Sequence, residues 1–130
     1  MNFKKITKIL FTTAIMSSLF ICSASANTYV DGTSDGGSYG KVECDGSIRA
    51  SGGYVTAATN VDTNKGTKAV HISVYDSENG SRQKDFSTST ARSVSGKIGY
   101  TPYSATSAEA RHSYSSSEYG DWYGETNIDL

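Results

Sequence analysis

Residues Lys68 to Asp76 alternate with a period of two, with Val70, Ile72 and Val74 on one side and Ala69, His71, Ser73 and Tyr75 on the other. Alternation over this length is the signature of a strand buried on one face. Asn79-Gly80 follows, the strongest short hairpin signal, because both central positions of a type I′ turn need positive φ. A chain carrying this unit has to build antiparallel sheet and has to cover the apolar face with a second layer.

The same pattern recurs more weakly along the chain. Lys41 to Cys44 alternates, Asp45-Gly46 reads as a turn, and Ser47 to Ala50 resumes pairing. Gly52-Gly53 reads as a bulge or bend. Tyr54 to Thr59 is the next candidate strand, Ser81 to Phe86 the returning arm of the hairpin, and Thr90 to Tyr100 another alternating run. Pro102 permits a turn or an edge, not a central strand. Ala105 to Tyr114 suits a strand with Ala108, Ala110, His112 and Tyr114 on one face, although its Ala, Glu and Arg would also suit a short helix. Asp121 to Ile128 closes the series. Six to eight short strands without a convincing helix predict an all-β fold, a small antiparallel β-sandwich, with a small barrel as the alternative.

The amino-terminal segment predicts export. Lys4, Lys5 and Lys8 precede an apolar run from Ile9 to Ile21, and Ala24-Ser25-Ala26 supplies the small-x-small pattern of a cleavage site. This is a secretory signal peptide of bacterial type over residues 1–26. The run is shorter than the roughly 20 residues needed to cross a bilayer. No second such run follows, so no transmembrane segment is expected in the mature chain. Cys22 raises a lipoprotein as a rival, but bulky Ile21 stands where lipoprotein processing wants a small residue. Residues 27–38 then read as a flexible Gly-rich lead-in, and residues 39–130 as a single β-sandwich domain.

After Ala26 the chain has nine basic and 13 acidic residues, a net charge near −4. That balance argues against a nucleic-acid partner and against simple attraction to anionic membranes. The same stretch has one Leu, one Phe, no Met, four Ile and seven Val, set against nine Tyr and Trp122. The aromatic residues are therefore expected to supply core volume that leucine usually provides. Cys44 is the only cysteine after Ala26, which leaves a small buried residue or an intermolecular bridge as its readings.

Candidate chemistry is sparse. Gly36-Gly37-Ser38-Tyr39-Gly40 matches the hydrolase nucleophile pattern G-x-S-x-G, but lacks the preceding apolar strand and the following helix. His71 and His112 could converge with Cys44, Glu43 or Asp76, yet no metal-ligand spacing supports that. The acids at 31, 35, 45, 62, 76 and 78 lie in turn-like stretches, where local hydrogen bonding is their usual role. No catalytic, metal-binding or cofactor-binding residue is assigned, and the chain is expected not to be an enzyme. Tyr114, Tyr119, Trp122 and Tyr123 cluster in sequence and are the candidate ligand-binding residues, a platform for sugar rings.

The stretch from His71 to Asp85, with its histidine, β-run, polar Gly-containing turn and Arg82-Gln83-Lys84-Asp85, resembles part of the lactococcin 972 family of secreted bacteriocins. Ala91, Val94 and Gly96, and the segment from Ser107 to Tyr114, continue the similarity. The end departs from it: in place of a terminal Tyr/Phe/Trp-rich strand the chain runs Tyr119-Gly120-Asp121-Trp122-Tyr123-Gly124 into an acidic tail. That ending, with Arg111 to Ser115, is similar to small secreted proteins of clostridia and relatives whose function is unassigned. The first resemblance implies export, a β-sandwich and interference with cell-wall synthesis through lipid II; it supplies no catalytic residues. The expectation is therefore a secreted, extracellular, non-enzymatic protein acting at a cell envelope as a bacteriocin-like antibacterial effector on lipid II or a glycan. The alternative is a carbohydrate- or surface-binding module using exposed Trp and Tyr.

Overall fold

The computed structural model describes residues 26–130, so all of the expected signal segment except Ala26 lies outside the described residues. The described residues form eight strands: β1 (Ala26–Thr33), β2 (Glu43–Ser51), β3 (Tyr54–Val61), β4 (Thr67–Asp76), β5 (Arg82–Thr88), β6 (Ser93–Gly99), β7 (Ala105–Ser116) and β8 (Gly120–Asp129). They pair antiparallel in two four-stranded sheets, ordered β1-β2-β3-β6 and β5-β4-β7-β8. The sheets pack face to face as a sandwich, β1 lying against β8 and β5 against β6 at the two sides. The predicted β-sandwich is the observed fold, and the ambiguous segment from Ala105 is a strand.

The core between the sheets is thin and aliphatic. Ile48, Val55, Val70, Ile72, Val74, Ile98 and Ile128 interleave with Ala50, Ala57, Ala108 and Ala110. The small alanines let the inner faces approach, so little side-chain volume is needed. This corrects the expectation of an aromatic core. Among the described residues Tyr114 alone of the nine tyrosines is fully buried, and Tyr29, Tyr39, Tyr54, Tyr75, Tyr103 and Tyr123 are exposed. A second cluster fills one end of the sandwich, where Val42, Cys44, Val61 and Tyr114 pack with Tyr119 and Trp122.

Three local readings change. Asp45-Gly46 is not a turn, since β2 runs straight through it with both residues paired to β1 and β3. The turn is Gly52-Gly53, whose φ values of 62° and 82° are those a two-residue type I′ hairpin demands between the paired Ser51 and Tyr54. Asn79-Gly80 does lie in a hairpin, but in a longer loop where only Gly80 has positive φ. There the Asp76 carboxylate accepts the Glu78 and Asn79 N–H groups at 2.9 and 3.0 Å. Burial opposes ionisation of Asp76, but these bonds outweigh it and pull its pKa down to about 2.

The Gly-rich lead-in also differs from its reading. β1 occupies residues 26–33, and the loop after it is fastened to the β7–β8 turn. Asp35 and Gly36 donate their N–H groups to the carbonyls of Asp121 and Tyr119, and Tyr39 donates to Glu118. A Cβ on Gly37 would stand 2.7 Å from the Glu118 backbone, so glycine here serves close approach rather than freedom.

Candidate functional site

The sheet β5-β4-β7-β8 turns one set of alternate residues inward and the other outward. Register places Asp85, His71, Arg111 and Glu125 side by side, one from each strand, on the outer face. Neighbouring strands lie about 4.8 Å apart, so this polar row runs about 14 Å across the sheet. Its two halves are each held by local contacts. Nδ1 of His71 meets Oδ1 of Asp85 at 2.6 Å. Nε of Arg111 donates to Glu109 at 3.2 Å and stands 3.9 Å from the Glu125 carboxylate. The Tyr123 hydroxyl donates to Glu125 at 2.5 Å, and that bond, reinforced by burial, raises the Tyr123 pKa.

Around the row the outward residues are small or polar: Ala69 and Ser73 beside His71, Ser113 beside Arg111, Asn127 beside Glu125. Glu109 and Gln83 flank the row on one side and Tyr123, 58% exposed, on the other. It presents carboxylate acceptors, imidazole and guanidinium donors, and one aromatic ring on a single open surface.

The structure does not gather the four sequence-picked residues into a platform. Tyr114 is 1% exposed and points inward, its hydroxyl donating to the Lys65 carbonyl at 2.9 Å. Trp122 is its cross-strand neighbour on the same inner face, half-buried against the second cluster. Its indole Nε1 would lie 2.7 Å from a Cβ on Gly32. Tyr119 packs edge-on against Tyr39 with ring centroids 5.9 Å apart. Only Tyr123 reaches the outer face, because successive residues of a strand point to opposite sides. Sequence adjacency was a poor guide for that reason. Sequence adjacency passes over Glu109, Arg111 and Glu125, whose alternation marks them as outward strand residues but does not show which of them the register aligns.

The two histidines do not converge. His71 is on the outer face of the sheet and His112 on the inner one, fully buried. Nδ1 and Nε2 of His112 lie 2.9 and 2.8 Å from the hydroxyl oxygens of Thr59 and Thr126. Among the described residues no three His, Cys, Asp or Glu side chains are grouped to hold a metal ion. Cys44 points inward at 2% exposure, and burial, with Asp45 nearby, pushes its thiol up to about 12. An intermolecular bridge through it would require the sandwich to open. Ser38 lies in the loop fastened to the β7–β8 turn.

Comparison with protein-family models, with curated proteins and with solved structures finds no match for this chain.

Proposed function

We propose that this chain is a secreted, non-enzymatic protein that acts at a cell envelope by binding a glycan on the outer face of the β5-β4-β7-β8 sheet. The observation that carries this reading is the row Asp85–His71–Arg111–Glu125 with Tyr123 at its end. Sugar hydroxyls each donate and accept, and the row offers both kinds of partner, carboxylates at its two ends with an imidazole and a guanidinium between them. The apolar face of a sugar ring packs on an aromatic ring, which Tyr123 supplies. Catalysis gains from a water-excluded site, whereas Arg111 and Glu125 have side chains 54% and 55% exposed. That setting favours holding a ligand over transforming it.

The test is sedimentation of residues 27–130 with insoluble peptidoglycan, with Trp122 fluorescence as the check on folding. Tyr123→Ala and Arg111→Ala are expected to abolish retention while leaving the fluorescence and the melting temperature unchanged. Retention that survives both substitutions overturns this placement of the ligand.

One observation favours an antibacterial consequence of such binding. The segment resembling the bacteriocin family forms the β4–β5 hairpin, and its first and last residues, His71 and Asp85, pair on the same outer face. In this reading the bound envelope component is lipid II, and the protein inhibits growth of related bacteria at sub-micromolar concentration (roughly the range of a specific binder). His71→Ala is expected to remove the inhibition, and inactivity of the parent chain across a broad strain panel overturns it.

A further inference from the structure

The opposite face of the molecule is electrically polarised along its strands. On the outer side of the β1-β2-β3-β6 sheet, register sets residues in level rows. One row is Asp31, Asp45, Asn60 and Ser93. The next is Tyr29, Ser47, Ala58 and Ser95, and the third Asn27, Arg49, Thr56 and Lys97. Negative charge thus occupies one end of the face and positive charge the other, with a shallow trough of Ser47, Ala58 and Ser95 between them. Tyr29, 57% exposed on the edge strand, closes the trough at one side, and beyond the basic row Tyr54, 47% exposed, has the Lys97 ammonium 4.6 Å from its ring centroid.

We propose that this face docks a second copy of the same chain, forming a two-fold dimer by stacking sheet on sheet. The charge polarity selects the geometry. A two-fold axis parallel to the strands would lay acid over acid. An axis across the strands, at the level of Ser47 and Ala58, reverses one copy. It sets Asp45 over Arg49 of the other copy twice, brings Lys97 over Ser93, and stacks the two Tyr29 edges. A two-fold interface must be self-complementary in this way. Ser47, Ala58 and Ser95 leave room for the two faces to meet at the ordinary sheet spacing of about 10 Å. Four strands about 4.8 Å apart and eight residues long present about 500 Å² per copy, hence about 1,000 Å² in all. That is the lower end for a specific interface, so the dimer is weak and dependent on concentration. Dimerisation leaves both β5-β4-β7-β8 faces pointing outward, on opposite sides of the assembly.

Sedimentation equilibrium of residues 27–130 at concentrations up to about 1 mM tests this, since a weaker association is not a specific one. The parent chain is expected to dimerise at low salt and to dissociate at about 1 M NaCl, where screening acts within about 3 Å. Arg49→Glu and Asp45→Arg should each weaken the dimer at least about tenfold, and the double variant, which reverses the polarity, should recover to within about threefold of the parent. Unchanged melting temperatures certify that the variants fold. A parent chain that stays monomeric overturns the proposal, as does a dimer indifferent to the single substitutions or one that the double variant fails to restore.

Discussion

The imidazole ring of His112 fills the space that a Cβ on Gly46 would need, with ring atoms 2.4 to 2.6 Å from that position. Gly46 belongs to β2 and His112 to β7, so the glycine gives the ring room between the two sheets. This also explains why β2 carries Asp45-Gly46 without turning. The surrounding hydrogen bonds fix the proton on the ring. The Thr59 hydroxyl donates to the Ala69 carbonyl at 2.9 Å, so it accepts from Nδ1–H of His112. Nε2 is then left to accept from the Thr126 hydroxyl. A neutral, singly protonated imidazole spans the two sheets.

Gly46→Ala is expected to destabilise the domain by about 2–3 kcal/mol, because a methyl group cannot enter without displacing a ring held at both nitrogens. Gly99→Ala is the control. Its φ is not positive, and the nearest atom to its Cβ is on Tyr54 at 3.6 Å, an ordinary contact. Urea unfolding followed by tryptophan fluorescence should show a large drop in midpoint for the first and a small change for the second. Equal midpoints would mean that the sheets are free to move apart at His112.

Burial lowers the His112 pKa from 6.5 to about 4, although a hydrogen bond with the Ala58 backbone partly opposes the shift. The unfolded chain therefore takes up a proton near pH 6.5 that the folded chain refuses until about pH 4. Stability from this group is complete above pH 6.5 and declines as the pH falls toward 4, by up to about 3 kcal/mol. The corresponding window for Asp76, whose pKa is lowered, lies below its ordinary 3.8, so the two are separable. Urea unfolding between pH 7 and 4.5 should show the loss, and His112→Gln, which hydrogen-bonds without titrating, should flatten it. A profile of unchanged slope in that variant would assign the loss elsewhere.

Strand positions were legible wherever one face is apolar and the other polar, as in β4, because burial on one side writes period two into the chain. Gly46 and Gly37 mislead a reader of the sequence for one physical reason. A glycine that makes room for a side chain or backbone from a distant strand looks, in sequence, like a glycine that turns. The outer polar row was illegible because it takes one residue from each of four strands, and only the register, which is set in three dimensions, aligns Asp85, His71, Arg111 and Glu125.

Trp122 and Tyr123 are adjacent in sequence and opposite in consequence. Trp122 packs into the second cluster and closes over Gly32 and Gly124, with indole atoms 2.7 and 2.8 Å from where their Cβ atoms would lie. Trp122→Ala is expected to cost about 2–4 kcal/mol of stability, at the lower side of a full core truncation because the ring is half-buried. Tyr123→Ala is expected to change stability by less than about 0.5 kcal/mol, as at most surface positions. Thermal melts read by circular dichroism separate the two. A stable Trp122→Ala protein would return the indole to the candidate ligand-binding surface.

Lys68 lies wholly inside the sandwich, on the inward side of β4. Its ammonium donates to the carbonyls of Lys65 and Gly66 at 2.9 and 3.2 Å and stands 5.6 Å from the centroid of the Tyr114 ring. Burial lowers its pKa, with the Arg92 charge adding to the effect. These bonds hold the loop between β3 and β4, but the charge itself is costly to bury, so its shape contributes as much as its charge. Lys68→Ala removes both and is expected to lose about 2–4 kcal/mol, through the cavity and the unmet Gly66 carbonyl. Lys68→Met keeps the stem's volume and discards the charge, and should lose less than half as much. Urea midpoints for the pair decide the matter: equal losses would show that the ammonium's bonds to the loop, not its packing, hold this end of the sandwich together.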